Sequence, residues 1–251
     1  MTKRVYFYCE PGSMEHYFYF EKADNAAQLE ALYSLRYQVY CEERGFIPKD
    51  RYPDGRESDQ YDDNSLHFGA YLSGGQVAGT VRLIKDDAVQ QLPLFVKCDI
   101  NEADLPADIS GANSAEISRL AVSKEVRRRN GDGNLGVNAQ AIRPMPMGRM
   151  GKRRLCPELI LGLYKSMYHE TKRRGIKYWL AAMEPSLAKL LSRFHFHFQE
   201  IGPEVDYYGI VKPYLANVED IEWAVHNHDP ELLKGFTEGL EPEFIPNLTS
   251  Q

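Results

Sequence analysis

The chain has 251 residues, of which 43% are hydrophobic and 26% charged, a composition that excludes an extended disordered chain and a collagen-like repeat. This length allows one large or two small domains, and we expect one main domain. No stretch approaches the roughly 18 consecutive apolar residues of a membrane span, and the first residues lack the apolar core of a signal peptide. The sequence therefore predicts a cytoplasmic protein without a transmembrane anchor.

The cysteines and histidines do not predict a metal centre. Four cysteines, Cys9, Cys41, Cys98 and Cys156, are scattered without CxxC spacing, so we expect reduced thiols rather than a zinc site or a disulfide framework. Two His-x-His pairs, at residues 195–197 and 226–228, have no third ligand nearby in sequence. We expect no metal and no permanently bound cofactor.

The charge is unevenly distributed along the chain. A net charge of −6 argues against general nucleic-acid binding. Residues 124–154, here called the basic segment, nevertheless hold nine basic residues and only two acidic ones, so the remainder of the chain is strongly acidic. Such a segment is either a solvated loop or a docking surface for an anionic partner.

The first half of the chain predicts a strand, a helix, a loop and a hairpin. Asn25 with Gln28 three residues later is typical of a capped helix start, and Ser73-Gly74-Gly75 favours a tight turn between two strands. The predicted elements are a strand at 17–20, a helix from Asn25 to a stop at 42–45, a loop at 50–64, and strands at 66–72 and 76–84.

The second half alternates strands and helices. A loop at 101–113 precedes a strand at 115–123, and the Gly-, Pro- and Arg-rich residues 130–154 predict a mobile insertion. The later predicted elements are a helix at 157–175, a strand at 178–183, a helix at 186–194, a strand edge at 194–198 (FHFHF) and a strand at 207–215. Helices are expected after residue 217.

This order predicts an α/β (α+β) fold with one central sheet, mixed and mostly antiparallel, flanked by helices. The same order is typical of the N-acyltransferase fold of the acetyltransferase (GNAT) type, although order alone does not define a function. We expect one GNAT-like domain at 1–216 and a helical extension at 217–251 packed on it.

Charged residues that a packed core does not need recur through these elements. Arg36 lies on the inward-facing part of the first predicted helix, and a buried arginine needs a carboxylate partner. Further charged residues follow in the loop, the hairpin and the long strand: Glu57, Asp59, Asp62, Arg82, Glu116 and Arg119. Such a set forms either structural ion pairs or a site in which pKa values are tuned, and spacing alone leaves both open.

The same residues carry a resemblance to a known family. The series is Arg36, Tyr40, Phe46, Glu57-x-Asp59-x-x-Asp62, Arg82, Phe95 and Glu116-x-x-Arg119. In order and nearly in spacing it resembles the motif set of the acyl-homoserine-lactone autoinducer synthases. Tyr40 and Phe46 stand where that family has Phe and Trp in its amine pocket, which argues against S-adenosylmethionine as the substrate.

Two other features are more similar to relatives that make N-acyl amino acids, including the PEP-CTERM/exosortase system-associated acyltransferases. They are the long basic segment and the sequence GIVKPYL at residues 209–215. This branch of the resemblance implies transfer of a long-chain fatty acyl group from acyl-carrier protein to the α-amine of an amino acid. The acyl-phosphopantetheine thioester would be a co-substrate, and a lipid-like product would allow transient membrane contact.

The chemistry assigns roles within this resemblance. Attack on a thioester needs a base for the amine, for which Glu116 is the candidate, and donors for the oxyanion. Arg36 and Arg119 would hold the substrate carboxylate through their planar guanidinium groups. The other substrate-site residues would shape the pocket or orient the arginines: Tyr40, Phe46, Glu57, Asp59, Asp62, Arg82 and Phe95.

Two further parts of the chain would bind the thioester donor: the end of the strand that contains Glu116, and the basic segment. Backbone N–H groups of Leu120, Ala121 and Val122 would stabilise the oxyanion if that strand bulges away from its neighbour. Arg128-x-x-Gly131-x-Gly133 matches the pyrophosphate-binding signature of acetyltransferases. The predicted carrier-protein docking residues are Lys124, Arg127, Arg128, Arg129, Gly131 and Gly133.

Three alternatives remain open at this stage. The chain could be an acyl-homoserine-lactone synthase, an acyl-CoA-dependent N-acyltransferase, or a non-catalytic sensor that binds acyl chains or acyl-carrier protein. A pure binding protein has no need for buried charges at Glu116, Arg119 and Arg36, which argues against the sensor.

Overall fold

The computed structural model describes residues 5–7, 18–126 and 156–248. Its strands are β1 (Val5–Phe7), β2 (Phe18–Lys22), β3 (Ser65–Leu72), β4 (Val77–Ile84), β5 (Ser114–Val122), β6 (Tyr178–Met183), β7 (Gln199–Glu200), β8 (Val205–Asp206) and β9 (Ile210–Asn217). Its α-helices are α1 (Ala26–Tyr37), α2 (Pro93–Lys97), α3 (Cys156–Arg173), α4 (Pro185–Ser192), α5 (Val218–His228) and α6 (Pro230–Thr237).

The described strands form one mixed sheet in the order β1-β2-β3-β4-β5-β6-β9-β7, with β8 paired to β9. β5 and β6 run parallel, whereas the pairs β1–β2, β2–β3, β6–β9, β7–β9 and β8–β9 are antiparallel. The predicted mixed, mostly antiparallel α/β fold is confirmed.

The chain divides into two compact units. The first unit comprises Met1–Glu57, His67–Val81 and Leu120–Tyr164, and the second comprises Ser58–Leu66, Arg82–Arg119 and Lys165–Gln251. The predicted boundary between residues 216 and 217 stays a prediction.

In the first unit, the sequence signal at the start of α1 acts as expected. The Asn25 side chain accepts a hydrogen bond from the backbone N–H of Gln28, which satisfies one of the amides left open at a helix start. The helix continues into a π-helical segment, Gln38–Glu43, which was not predicted. Gly162 of α3 lies against the Phe20 ring, where an added Cβ would come within 2.1 Å, so the helix approaches β2 only with glycine here.

In the second unit, a hydrophobic cluster surrounds the short helix α2. Leu94 of this helix is fully buried and packs with Leu180 of β6 and Leu215 of β9, while Phe95 is partly buried against the same cluster. Neighbouring strands and a helix thus share one apolar core, which holds α2 in place.

The C-terminal helices contact the second half of α3 within the same unit. The Tyr168 hydroxyl donates to Glu222 at 2.7 Å, and Lys172 Nζ lies 2.8 Å from the same carboxylate. The predicted helices after residue 217 are therefore present and are tied to α3 by buried polar contacts. None of the described helices combines the length and the apolar character needed to cross a membrane.

Two sequence expectations differ from the structure. Residues 194–198 form a turn and coil rather than a strand edge, with only Phe196 of the three phenylalanines buried, because the chain turns sharply at His195, whose φ is 64°. The strand predicted at 207–215 begins at Ile210 instead, since Tyr208 and Gly209 both have positive φ and form a turn.

Candidate active site

The central feature of the candidate site is the place where strands β5 and β6 stop pairing. Their parallel register runs through Ser114↔Tyr178 and Ala115↔Trp179 and ends at Glu116↔Leu180. β6 nevertheless continues to Met183 and stays paired with β9 along its other edge. Glu116 therefore lies at the last rung of the ladder, where the edge of β6 opens.

Glu116 is a buried carboxylic acid with an unusual pKa. Its side chain is only 1% exposed, and its Oε2 accepts a hydrogen bond from the backbone N–H of Leu94 at 2.8 Å. Burial raises the pKa of Glu116 to about 7, although the Leu94 bond and the charges of Arg82 and Arg119 act in the opposite direction. A carboxyl group with this pKa can accept or release a proton near neutral pH.

Arg82 of β4 donates hydrogen bonds to three neighbouring side chains. Its Nη1 donates to Asp59 Oδ1 at 2.6 Å and to Asp62 Oδ1 at 2.7 Å, and its Nε donates to Ser118 Oγ at 3.0 Å. The arginine is 1% exposed, so two carboxylates compensate a charge that is shielded from bulk solvent.

Asp59 connects Arg82 to Arg119. Its Oδ2 accepts from Arg119 Nη2 at 2.8 Å, while its Oδ1 accepts from Arg82. Burial acts to raise the pKa of Asp59, but hydrogen bonding to Arg82 and the charges of both arginines outweigh it and hold that pKa below its usual value. Asp59 therefore stays ionised and fixes the two guanidinium groups relative to each other.

Arg119 sits at an irregular point of β5. Its φ of 53° places it in the left-handed region, which is rare for a bulky residue and interrupts the regular strand. Tyr208 also has a positive φ, of 55°, and its ring lies 4.9 Å from the Arg119 guanidinium carbon. Two strained backbone positions therefore meet in one cation–π contact, and such strain clusters at functional sites.

Tyr207 adds a hydroxyl to this region. Arg119 hydrogen-bonds its side chain, and burial together with the nearby Glu116 charge raises the pKa of the phenol well above its usual value, although Arg119 opposes this. The group is therefore a neutral donor at physiological pH. Sequence reasoning missed both tyrosines as site residues; the only available signal was an aromatic pair directly before Gly209.

In the first unit, Arg36 and Glu57 form a buried ion pair. Arg36 Nε lies 2.5 Å from Glu57 Oε2, and both residues are 0% exposed. The guanidinium carbon is 5.0 Å from the centre of the Tyr33 ring, and the Glu57 amide donates to the Tyr33 carbonyl. The role predicted for Arg36 in holding the substrate carboxylate stays a prediction.

Tyr40 and Phe46 also lie in the first unit. Their ring centres are 6.4 Å apart, and the Tyr40 hydroxyl donates to the carbonyl oxygen of Leu120 at 3.1 Å. Ala121 is buried against Leu35 and Val39 of the helical segment. The Tyr40 hydroxyl thus binds β5 just beyond Arg119. The roles predicted for the N–H groups of Leu120, Ala121 and Val122 stay predictions.

The predicted docking residues are mostly outside the described residues. Lys124 is exposed in a turn after β5. The others, Arg127, Arg128, Arg129, Gly131 and Gly133, lie outside the described ranges, as does the insertion predicted at 130–154.

The histidine pairs meet in an unexpected way. The rings of His195 and His228, one from each His-x-His pair, stack with centres 4.4 Å apart. Within the described ranges, no group of three or more His, Cys, Asp or Glu residues is arranged to hold a metal ion.

Comparison with known proteins places this geometry in context. Residues 35–135 match the family described as the Acetyltransferase (GNAT) domain. TofI, solved in a ternary complex with an inhibitor and MTA, is 18% identical with a TM-score of 0.56, over 90% of this chain and 98% of that one.

Two further structures share the fold. BjaI, a CoA-dependent acyl-homoserine lactone synthase with SAM and isopentyl-CoA, is 22% identical with a TM-score of 0.51, over 79% of this chain and 80% of that one. FeeM, an N-acyl amino acid synthase from uncultured soil microbes, is 15% identical with a TM-score of 0.55, over 85% of this chain and 96% of that one. The chain has the GNAT acetyltransferase fold that the sequence predicted, and the domain match together with this fold supports an acyltransferase.

Proposed function

We propose that the protein is an N-acyltransferase that moves a long-chain fatty acyl group from the thioester of acyl-carrier protein to the α-amine of an amino acid. The observation that carries this proposal is Glu116: a buried carboxyl group with a pKa near 7, at the point where β5 and β6 separate. A base of this pKa suits deprotonation of an amine at neutral pH.

The reaction can be written so that its protons balance. The acceptor arrives as an ammonium ion and gives one proton to Glu116, which later releases it to solvent. The neutral nitrogen attacks the thioester carbonyl, the C–S bond of the tetrahedral intermediate breaks, and the second nitrogen proton passes to the departing thiolate. The products are an amide and a free thiol. Arg82, Asp59 and Arg119 keep the surrounding charges fixed, so little reorganisation is needed in the transition state.

The acceptor proposed is an amino acid rather than a sulfonium compound. FeeM, which shares the fold, is an N-acyl amino acid synthase, and the network around Glu116 contains two arginines, whose planar groups can bind a carboxylate although Asp59 and Asp62 balance their charge. BjaI was solved with SAM, so a homoserine lactone product is the competing outcome. The replacement of the family's aromatic pair by Tyr40 and Phe46 supports the amino acid.

The proposed acyl donor is the carrier-protein thioester, and this choice rests on the positive charge of the basic segment. The basic segment carries nine basic and two acidic residues in an otherwise acidic chain. A carrier protein is acidic, and electrostatic steering would accelerate its encounter with such a segment. BjaI is CoA-dependent, so acyl-CoA is the donor that competes with this proposal.

The experiment compares purified enzyme with matched donors and acceptors. Palmitoyl-carrier protein and palmitoyl-CoA are each offered with the twenty amino acids and with S-adenosylmethionine, and products are identified by mass spectrometry. We expect N-acyl amino acids, with higher kcat/KM for the carrier-protein donor. A homoserine lactone product would overturn the amino acid acceptor. Faster turnover with acyl-CoA would overturn the carrier-protein donor. No acyl transfer to any amine would reject it entirely.

A charge-reversal pair tests the donor more directly. Reversing Arg127, Arg128 and Arg129 to Glu should lower kcat/KM for the carrier-protein thioester and remove most of its salt dependence, but leave a short pantetheine thioester unaffected. Reversing Arg149, Lys152, Arg153 and Arg154 is the control that keeps the predicted phosphate loop. If neither set weakens use of the carrier-protein donor, the basic segment is a solvated loop.

A further inference from the structure

One polar atom in the Arg82 network lacks a partner. Arg82 Nε donates to Ser118 and Nη1 donates to Asp59 and Asp62, but Nη2 is buried without a hydrogen-bond partner among the described residues. Buried N–H groups in folded proteins are almost always paired, so an exception points to a missing water or ligand.

The position of Nη2 in the guanidinium group limits the kinds of ligand that could bind it. The guanidinium group is planar, and Nη2 lies between its two other nitrogens. On one side is Nη1, which binds Asp59 and Asp62, and on the other side is Nε, which binds Ser118. The serine oxygen accepts from Nε, which leaves its own proton to donate elsewhere. Two donors, Nη2–H and the Ser118 hydroxyl, therefore lie side by side.

Ser118 also lies near Glu116, on the same face of β5. The two residues are two positions apart on β5, so their side chains point to the same face of the strand, about 6.5 Å apart along it. Ser118 follows the last paired rung with β6, and it is partly exposed whereas Glu116 is buried. A ligand that reaches the serine from the open side thus also comes close to the base.

We propose that Arg82 Nη2 and the Ser118 hydroxyl form the subsite that binds the carboxylate of the acceptor, an inference that rests on the proposed acyltransferase function. A carboxylate accepts two hydrogen bonds, and its charge suits a guanidinium group. The short spacing to Glu116 suits an α-amino acid, whose amine and carboxylate are attached to the same carbon. The subsite takes the role that the sequence assigned to Arg36, which is enclosed with Glu57.

The test measures discrimination against acceptors that lack the carboxylate. The best α-amino acid of the panel is compared with its amide, its decarboxylated amine and an ω-amino acid of similar length, at saturating donor thioester. For the unmodified enzyme we expect kcat/KM to fall at least about tenfold for each analogue, because a site built to pair a substrate group rejects analogues without it. Equal use of the amide or the decarboxylated amine would overturn the inference, while acyl transfer itself would still support the proposed function.

Variants of Ser118 then test the contribution of the serine donor. Ser118→Ala should raise the acceptor KM and reduce the preference for the amino acid over its amide at least about fivefold, with the donor KM unchanged. Ser118→Thr keeps the hydroxyl and should retain the preference. Ser114→Ala is the matched control: this serine lies earlier on the same strand and donates to the Ser110 carbonyl at 2.6 Å. An unchanged preference in Ser118→Ala would overturn the inference and mean that Nη2 binds only a buried water.

Discussion

The backbone amide of Leu94 donates to Glu116 Oε2 over 2.8 Å, so the first turn of α2 holds the buried carboxyl group in one orientation. Leu94 is itself anchored in the core with Leu180, the residue that pairs with Glu116 on β6. The carboxyl group is thus positioned by the same apolar cluster that excludes water from it. Packing sets both its geometry and its pKa.

Replacing Glu116 by Gln should abolish acyl transfer while leaving the protein folded. The amide oxygen can still accept the Leu94 hydrogen bond, but the side chain can no longer take a proton. We expect kcat/KM to fall about 10²- to 10⁴-fold, the usual contribution of a positioned base. Steady-state kinetics and circular dichroism measure the two parts of this prediction, and turnover within about twofold of the unmodified enzyme would remove Glu116 from the mechanism.

The Glu116→Gln variant should also show a pH-dependent change in stability. The pKa of Glu116 is raised to about 7 in the folded protein, so its contribution to folding stability is fully present at low pH and is lost as pH rises from the unfolded pKa through 7. A glutamine side chain at this position cannot ionise, so the variant should gain stability relative to the unmodified protein, by about 3 kcal/mol at pH 8 at about 1.4 kcal/mol per pKa unit.

Urea denaturation at pH 4.5 and pH 8 measures this gain. The difference in free energy of unfolding between the two proteins should be larger at pH 8 than at pH 4.5. A difference that is independent of pH would mean that Glu116 titrates at the same pKa in the folded and unfolded states.

The buried pair of Arg36 and Glu57 should matter for stability more than for substrate binding. Glu57→Gln removes the carboxylate charge that lies 2.5 Å from Arg36 Nε, and truncating one member of a buried ion pair costs about 3–5 kcal/mol. Arg36→Lys should also destabilise, because it removes the planar group that lies over the Tyr33 ring. Denaturant midpoints and acceptor KM are measured for both variants. A raised acceptor KM with an unchanged midpoint would instead place Arg36 in the substrate site.

The contact between Tyr208 and Arg119 should support catalysis through the orientation of the arginine. Tyr208→Ala removes the ring and should lower kcat/KM about tenfold, because a partly desolvated cation–π contact contributes about 1 to 2 kcal/mol. Tyr208→Phe keeps the ring and should retain most of the activity. If the phenylalanine variant loses as much as the alanine variant, the hydroxyl rather than the ring is what the site needs.

Much of the fold could be predicted because its signals are local. Asn25 and Gln28 mark the start of α1, and Gly74-Gly75 marks the turn between β3 and β4, since caps and tight turns depend on neighbouring residues only. Most of the charged residues that the sequence singles out are buried and paired, because buried arginines require carboxylates. Their roles in substrate binding and catalysis stay predictions.

The remainder depends on contacts between distant parts of the chain. Nothing in the residues next to Glu116 indicates that Leu94 binds it, and the left-handed backbone at Arg119 has no signature because the residue is neither glycine nor asparagine. The sequence predicts a strand that begins at Tyr207 because aromatic residues favour strands, but the strand begins at Ile210, and Tyr207 and Tyr208 contact Arg119 in the bend before it.

The left-handed backbone at Arg119 and Tyr208 has a consequence for laboratory evolution. Glycine adopts such a conformation without steric cost, but Arg119→Gly also removes the buried ion pair with Asp59, and breaking such a pair costs more than the strain that glycine relieves. A library selected only for heat resistance should therefore keep Arg119, so a screen that never scores product formation still retains this residue of the candidate site.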